Sequence, residues 1–457
     1  MKVQRILLSL CVVLFCSCTD DDYQYLTDLS ERKAAGGATT IYTANSTSYS
    51  IPAPNLNSQA LALHLLGDLD FEAVFVTAPS IVNSGLGPIF NNSSCISCHP
   101  RDGRAKFPSD INSRSGLLLR ISKSGITSTG SPYPVSGFGT QIQHHAIFGY
   151  QPEAKIQVSY TPIIETFADG TQIVLQKPIY TLIEPYTELP SNIMISPRLG
   201  TPIFGLGLLE CISESDILAN QDVEDSDGDG ISGRANYVYD NISASYKLGR
   251  FGWKANTATI IEQCAMAYLE DMGITSPYFA QETGQGQSNG TDGLDDDPEI
   301  DLQTLEQVAF YCKTLGVPAS RNHDWYNVKM GAKLFEEIGC AKCHIPKQQT
   351  GYSPIEALSN QTIYPYTDLL LHDMGENLAD NRPDFLANGR EWKTRPLWGI
   401  GLTYVVNGHT HFMHDGRAKN LTEAILWHGG EAESSKNNFK SLDAQNRQYL
   451  LDFLNSL

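Results

Sequence analysis

Two short segments, Cys95-Ile-Ser-Cys98-His99 and Cys340-Ala-Lys-Cys343-His344, share the spacing C-x-x-C-H. Two thiols one helical turn apart present both sulfurs to the vinyl groups along one porphyrin edge. The adjacent imidazole then falls under the ring and ligates its iron. The pattern predicts two covalently bound c-type haems, with His99 and His344 as iron ligands. A zinc ribbon would bring its paired cysteines close together and has no need of the following His; these pairs stand far apart, at 95 and 340. A third segment, Asp225-Ser-Asp227-Gly-Asp229-Gly230, sets three carboxylates at alternate positions before a turn glycine. That is the opening of a calcium loop, although position twelve is Asn236 instead of the bidentate Glu.

The elements that must hold these groups follow from periodicity. Gly87-Pro-Ile-Phe90 and Gly331-Ala-Lys-Leu-Phe335-Glu-Glu-Ile338 both read as short amphipathic helices feeding a haem loop. The separation of the motifs predicts a mainly α fold of two cytochrome c-like domains, one over 59–130 plus 246–285 and one over 300–457. Residues 131–245 then form a β-containing insertion that interrupts the first. Ile156–Tyr160 and Gln172–Leu175, joined across Asp169-Gly170, read as a hairpin. Ile260, Ile261, Ala265, Tyr268 and Leu269 predict a helix over 259–272 with one buried face. The acidic, glycine-bearing stretch 281–301 reads as a loop.

The chain has 457 residues, 41% of them hydrophobic, and 32 basic against 51 acidic side chains, a net charge of −19. That sign excludes a nucleic-acid binder, which needs cations facing phosphates. Lys2 and Arg5 precede the apolar run Ile6–Phe15, which falls short of the ~20 residues of a spanning helix. Phe15-Cys-Ser-Cys18 followed by Asp20–Asp22 reads as a secretory signal over 1–17 with Cys18 as the lipidated N-terminus. Residues 18–58 would then tether the protein to a membrane, facing the periplasm or the outer-membrane surface. Export agrees with thioether attachment, which takes place outside the cytoplasm. Cys211, Cys264 and Cys312 belong to no motif, and at least one of them is unpaired or a core residue.

Around these motifs the chain resembles the di-haem oxidoreductase family, relatives of bacterial di-haem cytochrome c peroxidase and of the di-haem enzyme that matures methylamine dehydrogenase. The resemblance rests on Ser94-Cys-Ile-Ser-Cys-His-Pro-Arg-Asp-Gly-Arg104, Leu206-Gly-Leu-Leu-Glu210, Asp227-Gly-Asp-Gly-Ile-Ser-Gly-Arg234 and Gly249-Arg-Phe-Gly-Trp-Lys-Ala255. Asp271-Met-Gly-Ile-Thr275, Tyr364 through Gly375, and His414-Asp-Gly-Arg417 through Trp427-His-Gly-Gly430 continue it. It implies a cytochrome c peroxidase-like enzyme that reduces hydrogen peroxide, supplied by a small redox protein or a quinone-linked donor. An electron-transfer cytochrome without turnover, or an enzyme oxidising protein side chains, are the alternatives.

In the relatives a His-Asp-Gly block precedes an axial ligand by fourteen residues. Counted from His414, that position is His428, which the resemblance assigns to the second iron ahead of His372, Met374, Met413 and His414. His414 and Arg417 would then contact haem propionates or neighbouring loops. The first haem is left open for substrate. The family order of an inter-haem Trp, a Gln ten residues on and an acid before Met-Gly falls on Trp253, Gln263 and Asp271. The acid here is Asp instead of Glu and sits two residues nearer the Gln, so Glu270 and Glu153 are rivals. The implied roles are electron relay for Trp253, peroxide positioning for Gln263 and proton movement between the peroxide oxygens for Asp271.

Overall fold

Helix Ser58–Glu72 begins where the side chain of Asn57 accepts the amide of Ala60. Helix Ile260–Met272 starts at Thr259 and stops at Gly273, whose φ of 68° is the left-handed turn that glycine adopts without penalty. These two helices and Leu302–Thr314 enclose the first core, with Phe71, Tyr268, Leu305, Val308 and Tyr311 buried among them. Gly67 makes the crossing of the first and third possible, because a Cβ there would lie 2.1 Å from the carbonyl oxygen of Gln307. The second core is built by Tyr326–Glu337 against Ala444–Ser456, with Val328, Phe335, Trp427, Leu450 and Phe453 inside. Gly331 plays the same part there, 2.0 Å by its missing Cβ from the carbonyl of Tyr449. The structure is a computed structural model and describes residues 26, 28–110, 112–284 and 286–457. The expected signal segment and Cys18 lie outside the described residues.

Several expectations need correction. Helix accounts for only 28% and strand for 19%, the latter dispersed over many small sheets, so the fold is not mainly α. Leu117–Ser122 pairs antiparallel with both Gln141–Ile142 and Met194–Leu199. A long hairpin, Lys155–Thr166 with Gln172–Ile183, runs in register from Lys155↔Ile183 to Thr166↔Gln172. Its tip crosses to the second core: Phe167 is buried there, Lys440 pairs with Glu165, and Arg447 pairs with Asp169. Gly87–Phe90 is not a helical feeder, since Ile89–Phe90 is a strand paired with His145–Ala146. Helix Leu302–Thr314, placed by sequence with the second unit, packs in the first core. Residues expected as a tether are packed from Leu29 onward. Thr40–Ile41 pair with Val317–Pro318, and fully buried Tyr49 donates its hydroxyl to the carbonyl of Gly399. Apolar side chains such as Leu29 and Tyr49 gain more from burial than a solvated linker allows.

Candidate functional site

Each C-x-x-C-H motif opens onto its own cavity. Cys95, Cys98 and His99 line the first, together with Phe71, Gly200, Leu199, Trp253, Gln263 and Asp271. Cys340, Cys343 and His344 line the second, with Phe335, Met374, Trp392, Met413, His414 and His428. Short turns fix the motifs: Cys95–Cys98 is one helical turn, and Cys340–Lys342 is a 3-10 turn entered through Gly339 at φ 92°.

Three imidazoles share one arrangement. The Nδ1 of His99 lies 2.7 Å from the carbonyl oxygen of Thr201, that of His344 3.0 Å from Tyr366, and that of His428 2.7 Å from Ala424. A carbonyl only accepts, so Nδ1 carries the hydrogen and Nε2 keeps a lone pair. Burial holds all three below the usual histidine range, His344 at about 4, so each is neutral and fit to ligate a metal. Two of these imidazoles, His344 and His428, border the second cavity, whereas the first is bordered by His99 alone. Helix Leu421–Leu426, capped by Asn420, delivers His428.

The rival histidines are otherwise engaged. His372 holds Asp368 through Nε2 at 2.8 Å and Glu431 through Nδ1 at 2.7 Å, and these carboxylates lift its pKa well above the usual range. It is an imidazolium without a free lone pair. His414 stacks on Trp392 with ring centroids 3.9 Å apart and an angle of 14° between planes. Arg417 does not line either cavity. It forks onto Asp415, donates to the carbonyl of Asn377 and covers the Trp427 ring, so it fixes the loop that carries His414.

Trp253 borders both cavities. Its Nε1–H donates to the carbonyl of Leu199 at 2.9 Å, and the Arg395 guanidinium lies 4.9 Å from its ring. Gln263 and Asp271 come from one face and one end of Ile260–Met272, eight residues apart, and both reach the first cavity. Gln263 Oε1 is buried with no partner. Burial raises the Asp271 carboxyl to about 6 against the pull of Arg120 and the hydrogen bond from Gln141. Glu270 and Glu153 do not border that cavity.

Sequence reasoning passed over the cations between the cavities. Arg104, Lys393 and Arg395 line both. Burial lowers Arg104 to about 10 and Arg395 to about 9, and pulls Lys393 well below its ordinary value. Two nitrogens of Arg104, Nε and Nη1, have no partner, and none of the three cations forms an ion pair among the described residues. Buried, unpaired cations call for an anion. The propionates of a porphyrin in each cavity are such anions, so thiols, neutral imidazoles, apolar walls and waiting cations together fit a haem.

The expected calcium loop is rearranged. Carboxylate oxygens of Asp222, Asp225 and Asp227 lie within 4.8 Å of one another, while Asp229 turns to Lys342 at 2.8 Å. Asn236 cannot close the loop, because its buried amide donates to the carbonyls of Lys254 and Asp384. Of the cysteines outside the motifs, Cys264 and Cys312 border the first cavity, and Cys211 lies elsewhere beside Ser353. A family model described as "Di-haem oxidoreductase, putative peroxidase" matches residues 29–457. The comparison with curated proteins gave no match.

Proposed function

Because the chain belongs to the di-haem oxidoreductase family, we propose that it reduces hydrogen peroxide at the first cavity with electrons passed from the second. The observation that carries this reading is the unequal supply of imidazoles. His344 and His428 both border the second cavity and could both hold a metal there, whereas among these three imidazoles His99 alone borders the first, together with Gln263 and Asp271. When bound, haem supplies an iron that accepts and releases single electrons in each cavity. Attachment is through Cys95 and Cys98 in the first and Cys340 and Cys343 in the second. Export as a lipid-anchored protein, with a small redox protein or quinone-linked donor, belongs to the same proposal.

The side chains divide the work. Gln263, whose Oε1 lacks a partner, holds the peroxide by hydrogen bonding. Asp271, with its pKa near 6, is poised to take a proton from one peroxide oxygen and return it to the oxygen that leaves as water. Trp253 spans the wall between the cavities and offers electrons a π-system there. Arg104, Lys393 and Arg395 balance the propionates. Stopped-flow mixing of the reduced holoprotein with peroxide tests this. Asp271→Asn should slow the reaction by about 100-fold, the lower end for loss of a general acid–base group. An unchanged rate would overturn the assignment.

A further inference from the structure

A cleft lies at the end of helix Ile260–Met272 that carries Asp271, lined there by Leu269 and Glu270. Pro134, Gln141, Gln143, Glu270, Tyr278 and Glu282 line that cleft. Gln141 is fully buried, borders the cleft and reaches the first cavity through its bond to Asp271. Its Nε2 is 2.7 Å from Asp271 Oδ1, 2.8 Å from the carbonyl of Glu270 and 2.8 Å from Asn91 Oδ1. Its Oε1 is buried with no partner, an acceptor left unsatisfied beside Asp271. Glu270 faces the cleft, accepts from the Thr140 hydroxyl at 2.8 Å and approaches Arg120, a residue of the first cavity, at 3.8 Å. Adjacent residues of one helix end thus put one carboxyl at the cleft and one at the first cavity.

Glu153 completes the set. It is fully buried, its Oε2 accepts the backbone N–H of Gln143 at 2.7 Å, and its Oε1 is unpartnered. Gln143 returns to that helix end by donating Nε2 to the carbonyl of Glu270 at 3.0 Å. Burial lifts the Glu153 carboxyl to about 8, with the Glu270 charge adding to the rise, so it keeps its proton at neutral pH. The groups facing it are the Gln143 amide, Gln287, Glu270 and Tyr186; those facing Asp271 are Gln141, Arg120, Glu270 and the Cys95 and Cys98 thiols.

We propose that this cleft is the proton entrance to the first cavity, with Glu153 as the acid that stores the proton and Gln141 as the residue that positions Asp271 to receive it. The inference rests on the peroxidase reading. Reducing one hydrogen peroxide to two waters takes two electrons, from the redox donor, and two protons. Asp271 only moves a proton within the peroxide, so both protons must come from solvent. Each passes from the cleft through Glu153 and water at Gln141 Oε1 to the carboxylate of Asp271. Glu153, which lies behind the cleft-lining Gln143, is then reprotonated through water from the cleft.

Two readouts on the holoprotein test this. Infrared titration should show a carboxylic C=O band that disappears near pH 8 and is absent from Glu153→Gln, whether or not the enzyme turns over. In stopped-flow mixing with peroxide, the wild-type rate should fall above about pH 8. Glu153→Gln should be about tenfold slower at pH 7 and lose that limb of the profile. Gln141→Leu, which leaves Glu153 intact, should also be slow but keep the carboxylic C=O band that titrates near pH 8. If Asp271→Asn is slow while Glu153→Gln matches wild type at every pH, the proton entrance is wrong and the peroxidase reading stands. If Asp271→Asn is also unaffected, the peroxidase reading itself fails.

Discussion

The buried cations between the cavities give a prediction whose sign depends on what fills them. Arg104 carries a guanidinium that burial lowers from 12.5 to about 10, with no acid among its partners. That shift corresponds to about 3 kcal/mol of uncompensated desolvation. Arg104→Met keeps most of the stem, which now lies against Phe412 and Trp253 with the guanidinium 5.6 and 5.9 Å from their ring centroids. If a propionate pairs with Arg104, the substitution strands a buried anion and should cost the holoprotein about 3–5 kcal/mol. If no anion is there, removing a poorly solvated charge should raise stability by up to about 3 kcal/mol. Urea unfolding of the holoprotein, followed at the haem absorbance, separates the two outcomes, provided the slope against denaturant is unchanged. A midpoint at or above that of wild type would refute the argument that these cations hold propionates.

Two further outcomes concern stability. Lys254 is fully buried and donates to Asp380 Oδ1 at 2.7 Å and to the carbonyls of Arg382 and Asn388 at 2.8 Å. Lys254→Met strips the buried Asp380 carboxylate of its counter-charge and both carbonyls of a charged donor, leaving the Arg382 and Glu391 amides to serve Asp380 and Asn388, and should lower the unfolding free energy by about 3–5 kcal/mol in the same urea assay. Glu153 has a folded-state pKa raised from 4.5 to about 8. Between those values the native protein binds more protons than the unfolded chain, so its contribution to stability falls as pH rises and is flat beyond pH 8. Glu153→Gln should therefore gain on wild type in melting temperature between pH 5 and pH 9, and an equal difference at both ends would contradict the raised pKa.

Local chemistry was legible in the sequence, and convergence was not. The C-x-x-C-H motifs are complete within five residues, so their meaning survives without a fold. Trp253, Gln263 and Asp271 were singled out by the family order and not by their spacing; helix Ile260–Met272 and the segment before it bring all three to the border of one cavity. Arg104, Lys393 and Arg395 come from distant positions, and no periodicity marks an arginine whose partner is a cofactor. The strands escaped for a different reason. Met194–Leu199 is buried on both sides over its last four residues, and Leu117–Ser122, though buried and half-buried residues alternate at its start, carries Leu at both kinds of position, so neither sequence shows the apolar–polar alternation of a half-exposed strand. Ile89–Phe90 is too short to show any period. Helix Leu302–Thr314 fell in the stretch assigned by sequence to the second unit, and its allegiance depends on Gly67 and Tyr311, which only packing reveals. The acidic loop shows the same limit. Asp222 joins Asp225 and Asp227 from outside the motif, and Lys342, beside the second pair of thiols, draws Asp229 away.

Low-temperature electron paramagnetic resonance of the oxidised holoprotein bears most directly on the unequal supply of imidazoles. The account predicts one low-spin haem held by His344 and His428 and one high-spin haem held by His99, with His428→Gly converting the first to high spin. Two low-spin signals in the wild-type protein, or a low-spin signal untouched by His428→Gly, would contradict it.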